Sequence, residues 1–293
     1  VSNAIEVSNA IEATAKALEH EQRIDRIRQT IKWVVYSLLL FNWSFYIFED
    51  WQSAQHTMTA DSSILDWMNT FTTSLDELAW FGLLFLFEIE TYWLSDDALS
   101  RLKRFVFVAV RAVCYGFLAH TLFAYVSSFI ELTQAVSLGN SGLCDFADQG
   151  YSFVRNELYT FVNESNCGTL TSGGELSQIG EALLVTDAAG LREARFLAYI
   201  DIQDATVWLA VILTIEAIVR LQEKGISEGL IITSLNWITI ALYGVLILHA
   251  LIWIWKGHFV YAWDELLWIG GFAAIEMNLS EWRDDMAEEA APA

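Results

Sequence analysis

Apolar residues along this chain come in long runs rather than at alternating positions: Val34–Phe48, Leu78–Phe87, Phe105–Ile130, Val207–Val219 and Ile238–Trp255. A hydrocarbon core about 30 Å thick needs roughly 20 helical residues to cross it. Several of these runs reach that length once flanking Trp and Tyr are counted. The pattern predicts an all-α integral membrane protein with six transmembrane helices: TM1 31–49, TM2 76–94, TM3 105–131, TM4 204–222, TM5 234–255 and TM6 262–280. Composition agrees, with 55% hydrophobic residues and thirteen tryptophans; soluble domains sit nearer 45–50% apolar. The only proline in the chain, Pro292, leaves every span free of proline breaks.

Basic residues set the expected orientation. Arg23, Arg26, Arg28 and Lys32 precede TM1, Arg101, Lys103 and Arg104 join TM2 to TM3, and Arg220 and Lys224 join TM4 to TM5, whereas residues 50–75 contain no Lys or Arg. By the positive-inside rule both ends are cytoplasmic, in a multi-pass protein of the cell (inner) membrane. The start of the chain is polar and charged up to Lys32, so no cleavable signal peptide is expected.

Between the spans, residues 137–203 form the one long polar segment and are expected outside, where disulfides persist. A Cys144–Cys167 bridge is expected there, with Cys114 a small buried side chain in TM3. Tyr151, Phe153, Val154, Leu158, Phe161 and Val162 fall at helical spacing and predict an amphipathic helix clipped by the bridge; residues 176–202 predict a second helix running into TM4. The segment thus reads as a small extracytoplasmic helical cap. In the 50–75 connection, Ile64, Leu65, Trp67, Met68 and Phe71 predict a further amphipathic helix at the outer surface. Residues 1–30 read as a cytoplasmic amphipathic helix, opening with VSNAIE twice over, and the acidic end 283–293 as a disordered tail.

Self-similarity gives the arrangement. Asp76–Asp97 aligns without gaps on Asp264–Asp285, sharing the opening Asp-Glu-Leu, Trp80 with Trp268, Gly82 with Gly270, Glu88 with Glu276 and a closing acidic pair. The preceding helices share Trp33 with Trp237, and a polar residue six positions after a tyrosine, Asn42 and His249. TM1–TM2 and TM5–TM6 therefore read as copies of one two-helix hairpin, with TM3–TM4 as a more diverged copy carrying His120 and Glu216.

Acidic groups inside spans are expensive, on the order of 2.5–3.5 kcal/mol each at a helix centre. Glu88, Glu216 and Glu276, with Glu90 and Asn278 two residues beyond the first and last, and with Asn42, His120 and His249 on the neighbouring helices, are the candidate groups of an ion pathway. At 1.5 Å rise per residue, Asn42 lies about 16 Å above the start of TM1 and Glu88 about 18 Å below the start of TM2, which brings them to the middle or inner half of the bilayer. This pattern suits a channel or transporter for protons or metal ions. The competing reading is a non-transporting scaffold, sensor or accessory subunit of a larger complex, with structural buried charges such as an Arg111–Glu216 pair.

Other classes find little support. Carboxylate and imidazole suit Mn, Fe or Zn, but no span carries a Glu-x-x-His or His-x-x-x-His pair, so neither metal nor cofactor is assigned. A voltage sensor needs arginine at every third position, yet Arg101 and Arg104 are followed by Phe107 and Val110. The nucleotide-binding loop, the hydrolase elbow and the haem-attachment motif are missing, which argues against an enzyme. A net charge of −21 makes nucleic acid a poor partner; it suits a solvated surface in a saline habitat or an acidic vestibule that concentrates cations. The expected partners are the lipid bilayer, cations, and a second copy or a membrane-complex subunit.

Overall fold

The computed structural model describes residues 2–89, 101–139, 141–171, 173–226 and 228–272. Two compact units divide the chain, one of residues 1–42 and 267–293, the other of residues 43–266. Helix α1 (Ser2–Thr57) is continuous from the amphipathic start through the first apolar run. It is followed by α2 (Ile64–Thr70), α3 (Thr72–Glu88), α4 (Arg101–Thr133), α5 (Ala188–Glu223) and α6 (Leu230–Lys256). A last helix, α7, covers 259–272 of the described residues.

Four stretches are long and apolar enough to cross a membrane: Gln29–Thr57, Phe105–Thr133, Ala188–Gln222 and Leu230–Lys256. Their side chains face outward in large part, as lipid-facing helices must; Phe41, Phe105, Leu213 and Leu248 are all exposed. Helix α3 has 17 residues. Residues 90–97 and 273–285 of the sequence repeat, and the acidic tail, lie outside the described residues.

Within residues 43–266, α3, α4, α5 and α6 pack in chain order. The α3–α4 contact is close because Gly82 faces Cys114: a Cβ at Gly82 would stand 2.6 Å from the Cys114 Sγ. Helix ends are set locally. Ser63 caps α2, accepting from the Asp66 amide while the Asp66 carboxylate accepts from the Ser63 amide. Gly257 ends α6 in the left-handed region (φ 88°), where a residue without Cβ fits best. Arg195 donates to the Leu132 carbonyl from Nε and Nη2 (3.0 and 2.9 Å), covering the end of α4.

The segment between α4 and α5 departs from the predicted helical cap: it is a five-stranded mixed sheet. Its strands are β1 (Val136–Ser137), β2 (Ser152–Arg155), β3 (Leu158–Phe161), β4 (Leu176–Ile179) and β5 (Leu184–Asp187), in the order β1-β4-β5-β2-β3. The 151–162 stretch predicted as a helix is the β2–β3 hairpin, with Ser152 opposite Phe161 and Arg155 opposite Leu158. Its two-residue turn, Asn156-Glu157, takes positive φ at both positions (50° and 63°), the geometry that matches strand twist. Of the second predicted helix, 176–187 is the β4–β5 hairpin and α5 starts at Ala188.

Two apolar layers hold the sheet. Phe153, Val162, Leu176 and Val185 pack with Leu143 and Cys167 on one face. Val154, Ile179 and Leu184 pack on Leu132 of α4 and on Leu191 and Ala198 of α5 on the other. Cys144 and Cys167 are bonded, with 4.9 Å between their Cα atoms. Between sheet and helix, Asp187 caps α5 through Gly190 N (2.7 Å). Position 190 tolerates no side chain, because a Cβ there would lie 2.2 Å from Thr186 Oγ1 and 3.3 Å from the Val154 carbonyl.

Candidate functional site

The described residues gather their unusual chemistry near the sheet-side ends of the helices. Seven residues before the end of α6, His249 is almost fully buried and donates from Nδ1 to Asp204 Oδ1 of α5 at 2.8 Å. Close by, Glu265 of α7 is 7% exposed. Its Oε2 accepts from Trp208 Nε1 (3.1 Å) while its enclosed Oε1 takes no hydrogen bond among the described residues. Asp204 and Asp264 are its charged neighbours.

The ring of Trp208 meets Trp80 edge-on, 5.5 Å between centroids, and Trp80 Nε1 donates to Asp76 Oδ2 at 3.1 Å. Asp76 also bonds the Thr121 hydroxyl of α4 and feels the charges of Asp204 and Asp264. On α1, Asp50 accepts from the amide and hydroxyl of Ser74 (3.0 and 2.6 Å), and Glu49 bonds Tyr261. One carboxyl layer thus draws on α1, α3, α5 and α7. Among the described residues, Asp204 and Glu265 are held by a histidine and a tryptophan rather than by Lys or Arg. An acid left with one donor after burial is costly unless it is protonated or joined by a cation.

The β2–β3 turn closes this layer from the sheet side. Asn156 Nδ2 donates to the Lys256 carbonyl (3.1 Å), and His258 Nε2 donates to Asn156 Oδ1 (3.1 Å). Glu157 Oε2 lies 3.7 Å from His258 Nε2, and Lys256 Nζ donates to Glu193 Oε1 at 2.8 Å. Burial, reinforced by the charges of Glu49 and Glu193, pushes the Glu157 carboxyl up to about 7. Burial also lowers the His258 imidazole, against the pull of Glu193 and with the help of Lys256.

These two groups make opposite contributions to stability. Glu157 binds its proton more tightly in the folded chain, so its contribution is fully present below about 4.5 and is lost as pH rises toward 7. Burial disfavours the charged form of His258, so its contribution grows as pH rises toward its ordinary value of 6.5. The expected result is that Glu157→Gln removes a loss of stability between pH 5 and 8 that wild type shows. Thermal unfolding in detergent across that range checks it; parallel curves for the two proteins would refute the assignment.

The predicted site residues distribute unevenly. His249 lies in the layer. His120 of α4 has an enclosed Nε2 that takes no hydrogen bond among the described residues. Glu216 is half-exposed and pairs with Arg220 one turn on, at 2.5 Å; Arg111 and Arg220 both act on the neighbouring Tyr115. Asn42 is buried in the other unit. The Glu88 side chain, Glu90, Glu276 and Asn278 lie outside the described residues.

Sequence reasoning missed Asp204, Glu265, Asp76 and the turn residue Glu157. One signal was present: the repeat opens on Asp-Glu in both copies, and Glu77, Asp264 and Glu265 are each buried. Among the described residues no three His, Cys, Asp or Glu side chains sit close enough together to hold a metal ion. Compared with protein-family models, curated proteins and solved structures, the chain matches none.

Proposed function

We propose that the chain is an integral membrane channel or transporter for cations, protons or metal ions, with the carboxyl layer as its sheet-side entrance. In this reading there are six spans in repeated hairpins, both ends are cytoplasmic in a cell (inner) membrane, and the sheet lies on the outer, oxidising side where its disulfide persists. Glu88 and Glu276 would continue the pathway deeper in the bilayer. The observation that carries the reading is Glu265: a carboxyl enclosed near the end of a membrane bundle, one oxygen bonded by Trp208 and the other unbonded among the described residues, with Asp204 and Asp264 beside it. Such an arrangement is stable with a proton or a mobile cation among the acids, and His249 on Asp204 supplies a group able to exchange protons.

Flux in proteoliposomes tests it. Asp204→Asn and Glu265→Gln should each lower proton or cation flux about ten-fold, equivalent to ~1.4 kcal/mol of lost stabilisation, while both variants stay folded. Glu216→Gln should leave flux near wild type, because Glu216 is neutralised by Arg220. That private pair is also what favours the second reading, a scaffold or accessory subunit with structural charges. Wild-type liposomes no leakier than empty ones, for protons and for mono- and divalent cations alike, would decide for it.

A further inference from the structure

Acidic residues outnumber basic ones in this chain by 37 to 16, yet one pocket reverses the balance. Arg155 at the end of β2, Arg192 in the first turns of α5 and Lys256 at the end of α6 line a cavity of about 360 Å³, together with Phe196, Trp255 and a single acid, Glu193. Lys256 already neutralises Glu193. Its Nζ lies 4.8 Å from the centre of the Trp255 ring and 5.5 Å from that of Phe196. Arg155 keeps half its side chain exposed, 3.9 Å from Asp187. Arg192 is exposed and makes no hydrogen bond or ion pair among the described residues. The pocket therefore carries a surplus of positive charge, at the N-terminal end of α5, where the helix dipole adds to it.

Its position says what kind of anion it meets. Lys256 is the last residue of an apolar span, and Trp255 beside it is 73% exposed, as an interfacial tryptophan is. Leu248 and Leu251 are exposed on the same stripe of α6, seven and four residues before Trp255, and lead up to the pocket. A soluble anion would use the charges and leave this stripe idle. A phospholipid uses both.

We propose that this pocket binds the phosphate headgroup of an anionic phospholipid from the sheet-side leaflet, with an acyl chain along Leu248, Leu251 and Trp255. Arg192 supplies the uncommitted donor fork for the phosphate, and Lys256 and Arg155 add charge. The inference needs only α6 in a membrane and is independent of transport.

Native mass spectrometry of the full chain, delipidated in neutral detergent and titrated with phosphatidylglycerol or phosphatidylcholine, tests it. Wild type should retain phosphatidylglycerol about ten-fold more strongly than phosphatidylcholine. Arg192→Gln should abolish that preference and Arg192→Lys should restore much of it. Trp255→Ala should weaken retention of both lipids. Unchanged unfolding temperatures would show that the variants fold. Equal retention of the two lipids by wild type would overturn the proposal, as would an unaltered preference in Arg192→Gln. Displacement of bound phosphatidylglycerol by inorganic phosphate at the same concentration would assign the pocket to a free anion instead.

Discussion

Asp187→Ala should destabilise the folded chain by about 3 kcal/mol, combining loss of a helix cap with loss of charge-assisted hydrogen bonds in a buried site. Few residues here serve as many neighbours. The Asp187 side chain is 3% exposed. Oδ1 accepts from Gly190 N at 2.7 Å, and Oδ2 accepts from Thr171 Oγ1 at 2.9 Å and faces Arg155 at 3.9 Å. Its backbone pairs with Leu176 across β4 and β5. One carboxylate thus ends a strand, starts a 36-residue helix and ties down Thr171 beyond the Cys167 loop. Alanine leaves the Gly190 amide and the Thr171 hydroxyl without acceptors. Asparagine keeps an oxygen for the cap, so Asp187→Asn should cost about a third as much, on the order of 1 kcal/mol. Thermal unfolding in detergent measures both. An alanine variant within 1 kcal/mol of wild type would mean that the α5 start is held by other contacts.

Removing the Cys144–Cys167 bond should cost about 3 kcal/mol, the loop-closure value for a crosslink spanning this length, with 23 residues of separation. The loss should be confined to the sheet. The bridge joins the short 3-10 turn at Leu143–Phe146 to the loop after β3, and Cys167 is itself part of the outer apolar layer with Leu143, Phe153 and Val185. The helices have no covalent dependence on it. A Cys144→Ser, Cys167→Ser double variant should therefore become sensitive to protease between residues 138 and 187 while α4, α5 and α6 stay protected. Cleavage at the same protease concentration as wild type would refute this.

The membrane helices were legible because a continuous apolar run is a strong signal: Phe105–Ile130 and Ile238–Trp255 lie within α4 and α6, which extend beyond them by three to four residues at each end of α4 and by eight at the start of α6. The pairing of Cys144 with Cys167 followed from the expectation that the polar segment lies on an oxidising side, and the two are bonded. The sheet was not legible, for a physical reason. Strands β2 and β5 are buried on both faces, so Phe153 and Val154, or Leu184 and Val185, are adjacent apolar residues that face opposite layers. Alternation, the usual strand signal, disappears in that case, and four-residue runs cannot be told from helix by period. The remaining clue was the Asn156-Glu157 turn. In the carboxyl layer, His249 was readable as a polar break in an apolar run. Its partner Asp204, 45 residues earlier, sat at the edge of the predicted TM4 and looked like a boundary residue. Glu265 and Asp76 served to align the repeat, and their chemistry went unread for that reason.

The hairpin tip has a mechanical meaning. Asn156 is clamped to the Lys256–His258 link by two hydrogen bonds. At the opposite end of β2, Ser152 shares a hydrogen bond with His56 Nδ1 (2.7 Å), whose ring lies against Phe161. Pinned at both ends of one strand, to α1 and to the α6–α7 corner, the sheet cannot pivot like a flap on a hinge. Any tilt of α6 against α1 has to shear that strand or carry it along, so force applied to the sheet surface is delivered directly to the helix ends beneath.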